Sequence, residues 1–214
     1  MNTHRTMVDA VKKGDKKAVA AAAAASPESV DALNEQGLPV ILLAAYYGKR
    51  EIVKQLRALG AKVDFWIGCA IGDKAVVEAG AKKHVGDMSP DGFTPLCMAA
   101  AFGHAELVRL LLAAGGDPNR RSESLGQVAP IQSAVFGRSI DAVRALLEAG
   151  ADATVAQEGG YTALHAAAQH GDEPCVGLLL EFGARKDVHD VRGKTPADHA
   201  DDAGYPELAR SLKA

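Results

Sequence analysis

Thr94-Pro-Leu-Cys-Met-Ala-Ala-Ala-Phe-Gly-His-Ala-Glu-Leu-Val-Arg-Leu-Leu-Leu-Ala-Ala-Gly115 is the stretch on which the fold turns. Leu107, Val108, Leu111 and Leu112 recur at the three-to-four-residue spacing that gathers apolar side chains on one helix face. Gly115 stands where a left-handed residue closes such a helix. Gly103 separates it from a shorter apolar run opened by Thr94-Pro95. The stretch therefore reads as two short helices bent back on each other at a glycine.

The same unit recurs along the chain. Gly14-Asp-Lys-Lys-Ala-Val19, Gly48-Lys-Arg-Glu-Ile-Val53, Gly72-Asp-Lys-Ala-Val-Val77, Arg138-Ser-Ile-Asp-Ala-Val143, Gly171-Asp-Glu-Pro-Cys-Val176 and Gly204-Tyr-Pro-Glu-Leu-Ala209 line up with Gly103-His-Ala-Glu-Leu-Val108. Their first residues are 34, 24, 31, 35, 33 and 33 positions apart, a period of about 33 with one short interval. Gly60, Gly150 and Gly183 repeat the helix stop, and Val143, Leu146 and Leu147 repeat the stripe. Pro174 and Pro206 fall in first helical turns, where the missing N–H costs nothing. Such periodicity marks units that bury their apolar faces only against their neighbours.

Each short helix is entered through a turn: Asp91-Gly-Phe-Thr-Pro-Leu96, Gly159-Gly-Tyr-Thr-Ala-Leu164 and Arg192-Gly-Lys-Thr-Pro-Ala197. Thr162-Ala-Leu-His-Ala-Ala167 and Thr94-Pro-Leu-Cys-Met-Ala99 closely resemble the Thr-Pro-Leu-His-x-Ala signature of the ankyrin repeat, whose period is also 33. The resemblance covers essentially the whole chain. It implies an all-α ankyrin-repeat α-solenoid, with stacked helix-turn-helix units and β-turn fingers, about seven units including caps. These are an N-terminal cap at 1–33, repeats at 34–64, 65–88, 89–121, 122–156 and 157–189, and a C-terminal cap at 190–214.

Two units depart from the pattern. Between Asp64 and Gly72 there is room for one short helix and no preceding turn, so the truncated unit 65–88 lacks its finger. Gly116 to Ala129 is about two residues longer than the period allows, which predicts a bulged loop at the next finger. In that same unit Arg138 takes the place of the inter-helix glycine, and Gly137 precedes it. The end units need polar outer faces; Lys12, Lys13, Lys16 and Lys17 suit the first, and Asp198, Asp201, Asp202, Arg210 and Lys213 the last.

With 48% apolar residues in 214, a buried core is affordable. The net charge of −3, with Lys and Arg spread along the length, argues against nucleic acid as a partner. No apolar run approaches the roughly 20 residues needed to cross a bilayer. Cys69, Cys97 and Cys175 are odd in number, far apart and set in apolar runs, which fits a reducing cytoplasm. Export is the minor alternative, since basic Met1 to Lys17 followed by Ala18 to Ala25 loosely imitates a signal peptide.

Catalytic and metal chemistry find no purchase. His4, His84, His104, His165, His170, His189 and His199 form no i, i+4 pair and no cluster with paired cysteines, so neither metal nor cofactor is expected. The resemblance makes His165 a structural hydrogen-bonder to the neighbouring turn. Cys175 points into an apolar stripe away from His170, the glycines are used at helix ends, and Asp198, Asp201 and Asp202 fall on a helix rather than in a calcium loop.

The resemblance also implies that the short helices line a concave side, where the two residues before each inter-helix glycine face outward beside the fingers. On it, Leu38, Tyr46, Tyr47, Ile71, Phe93, Phe102, Phe136 and Tyr161 are candidate partner-binding residues, and Ala70 is read as outward too. Six of the ten aromatic residues fall on these positions. Solvent-facing sites normally take polar residues, and aromatic rings make good binding anchors. Trp66, at the start of the fingerless unit, is expected to fill core left open by the missing turn. The expectation is a non-enzymatic module, monomeric when free, that binds another protein as scaffold, adaptor or inhibitor; an enzyme or a structural spacer is the alternative.

Overall fold

The computed structural model describes residues 3–123 and 126–213. Ser124 and Leu125, part of the expected bulged loop, lie outside the described residues. The protein is all-α: among the described residues are fourteen α-helices and one 3-10 helix, and extended pairing is confined to isolated bridges. The chain divides into two compact units, one through Val76 and one from Val77.

The first unit holds α1 (Thr3–Lys13), α2 (Lys16–Ala25), a 3-10 helix (Pro27–Asp31), α3 (Val40–Tyr46), α4 (Arg50–Ala58) and α5 (Phe65–Ile71), and the boundary falls within α6 (Lys74–His84). The alanine run forms α2, whose start is capped by the Asp15 carboxylate accepting from the backbone N–H groups of Lys17 and Ala18, each at 3.0 Å. Val19, Ala22 and Ala23 of α2 are buried with Met7, Val11, Ile41, Ile52 and Leu56 in one apolar cluster. Small side chains let α2 sit close, so the segment that imitates a leader peptide is a packed helix here. Asp64 caps α5 directly, accepting from Ile67 N–H at 2.8 Å, and no finger precedes that helix.

Trp66 corrects an expectation. It is half-buried, whereas its neighbour Phe65 is the ring the core takes up, with Trp66 meeting it edge-on at 5.3 Å. Consecutive helical residues point about 100° apart, and here Phe65 takes the inward direction while Trp66 lies at the margin of the buried face.

The second unit holds α7 (Pro95–Ala101), α8 (Ala105–Ala113), α9 (Pro130–Phe136), α10 (Ile140–Glu148), α11 (Ala163–Gln169), α12 (Glu173–Glu181), α13 (Pro196–Asp202) and α14 (Pro206–Lys213). The short helices α7, α9, α11 and α13 pack in succession, as do α8, α10 and α12. Leu96, Leu111, Ile131, Leu146, Leu164 and Leu179 are fully buried between them. Burial of each is worth about 1.5–3 kcal/mol. Fingers close where Ser89 N–H meets Phe93 O (2.8 Å), Gln157 meets Tyr161 (2.9 Å) and Asp190 meets Lys194 (2.9 Å). The finger between α8 and α9 instead closes from Ser122 to Val128 (2.9 Å), two residues later. Successive fingers are joined by Glu123 N–H to Gly92 O, Glu158 to Gly126 and Val191 to Gly159, at 2.8–3.0 Å.

Gly137 and Arg138 exchange the usual roles. Arg138 adopts the left-handed φ of 51° that glycine takes elsewhere, while Gly137 is right-handed. A Cβ on Gly137 would lie 2.2 Å from the backbone oxygen of Ala100, so close approach of α7 and α9 reserves that position for glycine.

Candidate functional site

One position of the motif decides how the polar groups are used. In the second unit the residues at the signature histidine place are Cys97, Gln132, His165 and Asp198. Cys97 Sγ–H donates to Val128 O at 3.5 Å, Gln132 Nε2–H to Tyr161 O at 3.0 Å, and His165 Nε2–H to Lys194 O at 3.2 Å. Each acceptor is the residue that closes the next finger. Gln132 Oε1 and His165 Nδ1 also accept the backbone N–H at the start of their own helix, from Ala129 (2.9 Å) and Thr162 (3.1 Å). Asp198 as a carboxylate only accepts, from Thr195 N–H at 2.9 Å.

The C-terminal finger adds a buried polar cluster. Asp190 accepts from the backbone N–H groups of Lys194 and Arg192 and from His199 Nε2 at 3.0 Å, and these hold its carboxyl far below the usual carboxylate range. His165 lies edge-to-face with His199 at 5.3 Å and stacks on Tyr161 at 5.2 Å. Burial pushes His165 below its ordinary value and pushes the Tyr161 phenol up to about 12. These groups are engaged in holding fingers to helices. Burial likewise raises all three thiols, Cys69 and Cys175 to about 12, so they are inert as nucleophiles. Among the described residues no three His, Cys, Asp or Glu side chains gather as a metal site.

The candidate binding residues separate by burial. In the first unit Tyr46 and Tyr47, at the end of α3, are about half exposed at 50% and 51%, and Leu38 is half-buried in its finger. Ile71 is half-buried and packs against the apolar cluster, and Ala70 is buried, so the outward reading of α5's end is corrected: without a finger beside it, α5 leans its last turn on the core. In the second unit Phe136 is 47% exposed at the end of α9, with its edge toward His170 at 6.3 Å. Phe93, Phe102 and Tyr161 are half-buried. Phe136 and Tyr161 are brought together as walls of an open cleft of about 320 Å³, with Gln157, Gln169, Val191 and Arg192. Tyr161 is oriented there by its hydroxyl, which donates to Gln169 Oε1 at 2.5 Å.

Sequence reasoning missed Val191, which is 82% exposed on its finger and lines the same cleft, and missed the exposed rings of Phe182 and Tyr205. The signal for Val191 was available, since it sits in the finger between Asp190 and Gly193 where the resemblance places outward side chains. Charge is also unevenly divided. Residues 1–76 carry 11 Lys and Arg against 8 Asp and Glu, and residues 77–214 carry 13 against 19, or +3 and −6.

A family model described as ankyrin repeats in three copies matches residues 7–122, 65–157 and 131–214. The chain belongs to the ankyrin-repeat family. Among ankyrin-repeat relatives, cyclin-dependent kinase 4 inhibitor B of Bos taurus is 40% identical over 124 residues, 58% of this chain and 92% of that protein. Cyclin-dependent kinase inhibitor 2A of Homo sapiens is 39% identical over 120 residues, covering 56% and 75%. The E3 ubiquitin-protein ligase KEG of Arabidopsis thaliana is 36% identical over 121 residues, 54% of this chain but 7% of the ligase. This ankyrin-repeat chain is a protein-binding module. Among the described residues, no helix is long and apolar enough to cross a membrane.

Proposed function

We propose that the chain acts without catalysis of its own, holding a partner protein against the ends of its short helices as an adaptor, scaffold or inhibitor. The observation that carries this is the exposure of Tyr46, Tyr47 and Phe136, three large rings at the ends of their short helices, with Tyr46 and Phe136 at the same place in their repeats. An exposed ring on a soluble surface is costly unless a partner covers it, and Tyr and Phe bury much area for little rotamer entropy. Relatives named as kinase inhibitors favour the inhibitor form, in which the module occludes a partner enzyme. Buried, unpaired thiols fit a monomer in the cytoplasm.

Affinity capture from a native lysate tests this, with wild type beside Phe136→Ala and Tyr46→Ala/Tyr47→Ala. The expected result is a captured protein that both variants lose, by about thirtyfold in affinity for a central anchor, while both melt near the wild-type temperature. Capture unaffected by either variant would place the partner elsewhere and overturn the proposal.

A further inference from the structure

Within the first unit, Tyr46 and Tyr47 stand beside cations that form no ion pair among the described residues. Lys12 and Lys13 end α1, which packs against α3, and they hold the repeat position that the two tyrosines hold on α3. Lys49 follows directly, and its side chain reaches to 3.3 Å from where a Cβ on Gly14 would sit, which joins the two inter-helix turns. Lys12 and Lys13 are exposed and Lys49 is half-buried. Of the acidic groups near them, Asp15 caps α2 and Glu51 pairs with Lys16 and Lys54, while exposed Asp9 stands one turn back on α1 and offsets part of the charge of Lys12 and Lys13.

We propose that this face takes an acidic, extended segment of a partner protein, its apolar side chains against Tyr46 and Tyr47 and its carboxylates against Lys12, Lys13 and Lys49. The inference rests on the reading that partners sit at the ends of the short helices, and it supplies the chemistry of the partner there. Two features carry it. Aromatic rings furnish desolvated contact area, and exposed cations at the rim select charge of the opposite sign and speed encounter. The charge of +3 on residues 1–76, set against −6 on the remainder, confines the attraction for acidic ligands to this unit. Lysines in the last turn of α1 also complement its dipole, which accounts for their charge but not for their setting beside exposed rings.

The test is selection of displayed random twelve-residue peptides on the immobilised full-length protein. Enriched acid-rich peptides are then synthesised and titrated by fluorescence anisotropy. The expected result is enrichment of peptides combining Asp or Glu with apolar residues. Their Kd should rise about tenfold in Lys12→Glu/Lys13→Glu, rise with added salt, rise at least about tenfold in Tyr46→Ala/Tyr47→Ala, and stay unchanged in Phe136→Ala. Lys49→Gln, which keeps the stem and removes the charge, should weaken binding less. Acid-rich peptides that are not enriched, or that bind Lys12→Glu/Lys13→Glu as well as wild type, overturn the proposal. If the enriched peptides are neutral yet still need Tyr46 and Tyr47, the acidic partner is wrong and the aromatic surface stands. If Tyr46→Ala/Tyr47→Ala and Phe136→Ala both leave binding intact, the aromatic surface fails as well. Tighter binding of polyuridylate than of any acidic peptide, or self-association abolished by Lys12→Glu/Lys13→Glu, would assign the face to nucleic acid or to a second copy instead.

Discussion

Leu42 and Gln132 occupy the same place in the repeat, one in each compact unit, and solve opposite problems. Gln132 bridges its own helix start to the carbonyl that closes the next finger, and Cys97 and His165 reach the equivalent carbonyl on either side of it. Leu42 is followed by a repeat with no finger, so no such carbonyl exists, and the position is filled by a buried apolar side chain. A polar group buried there without a partner would cost more than it returned. The second unit is therefore held by polar rungs in addition to apolar packing, and the first by apolar packing with helix caps.

The same comparison sets the scale of the expected effects. Gly137 and Tyr47 both precede the inter-helix left-handed residue, yet Tyr47 is exposed and Gly137 lies against the α7 backbone. Gly137→Ala should cost about 3 kcal/mol, because the Cβ meets a carbonyl oxygen that cannot move without separating α7 from α9; Tyr47→Ala should cost under about 1. Urea denaturation reads both, and a near-neutral Gly137→Ala would show that the two positions do not differ as described.

Exchanging the rung residues is the next largest effect. Gln132→Leu orphans Ala129 N–H and leaves Tyr161 O with the finger bond from Gln157 alone, and Leu42→Gln buries an amide opposite a finger that is absent; each should destabilise by about 2 kcal/mol. If Leu serves as well as Gln at 132, the rungs contribute nothing net and the comparison breaks.

Acid sharpens it further. Burial depresses the folded-state pKa of His165 below 6.5, so the unfolded chain takes up the proton first as pH falls. The stability this contributes is present above about pH 6.5 and is lost as pH drops toward the folded value. Asp190, also depressed, adds a second loss on further acidification below about pH 4. His165→Gln, the solution already used at 132, should keep the bonds and flatten the thermal midpoint between about pH 6.5 and 5. A wild type whose midpoint is level across that range would contradict this assignment. The smallest effect belongs to Phe136→Ala, which should lower stability by under about 1 kcal/mol because the ring is half in solvent. A loss of about 3 kcal/mol or more would make Phe136 core and withdraw it from the binding surface.

The period, the helix ends at Gly60, Gly115, Gly150 and Gly183, the missing finger before α5 and the two extra residues before α9 were all legible in the amino-acid order. They are local: a helical stripe, a left-handed glycine and a turn are each specified within about ten residues by backbone preference and the 3.6-residue repeat. The exposure of Tyr46, Tyr47 and Phe136 against the half-burial of Phe93, Phe102 and Tyr161 was decided by tertiary structure, as were the burial of Phe65 in place of Trp66 and the settling of Ile71 on the core. So were the partners of Cys97 and Gln132, whose acceptors lie 31 and 29 residues away. Burial and hydrogen bonding at one repeat depend on what the next repeat places opposite it, and that is settled only when helices about 33 residues apart in the chain are packed together.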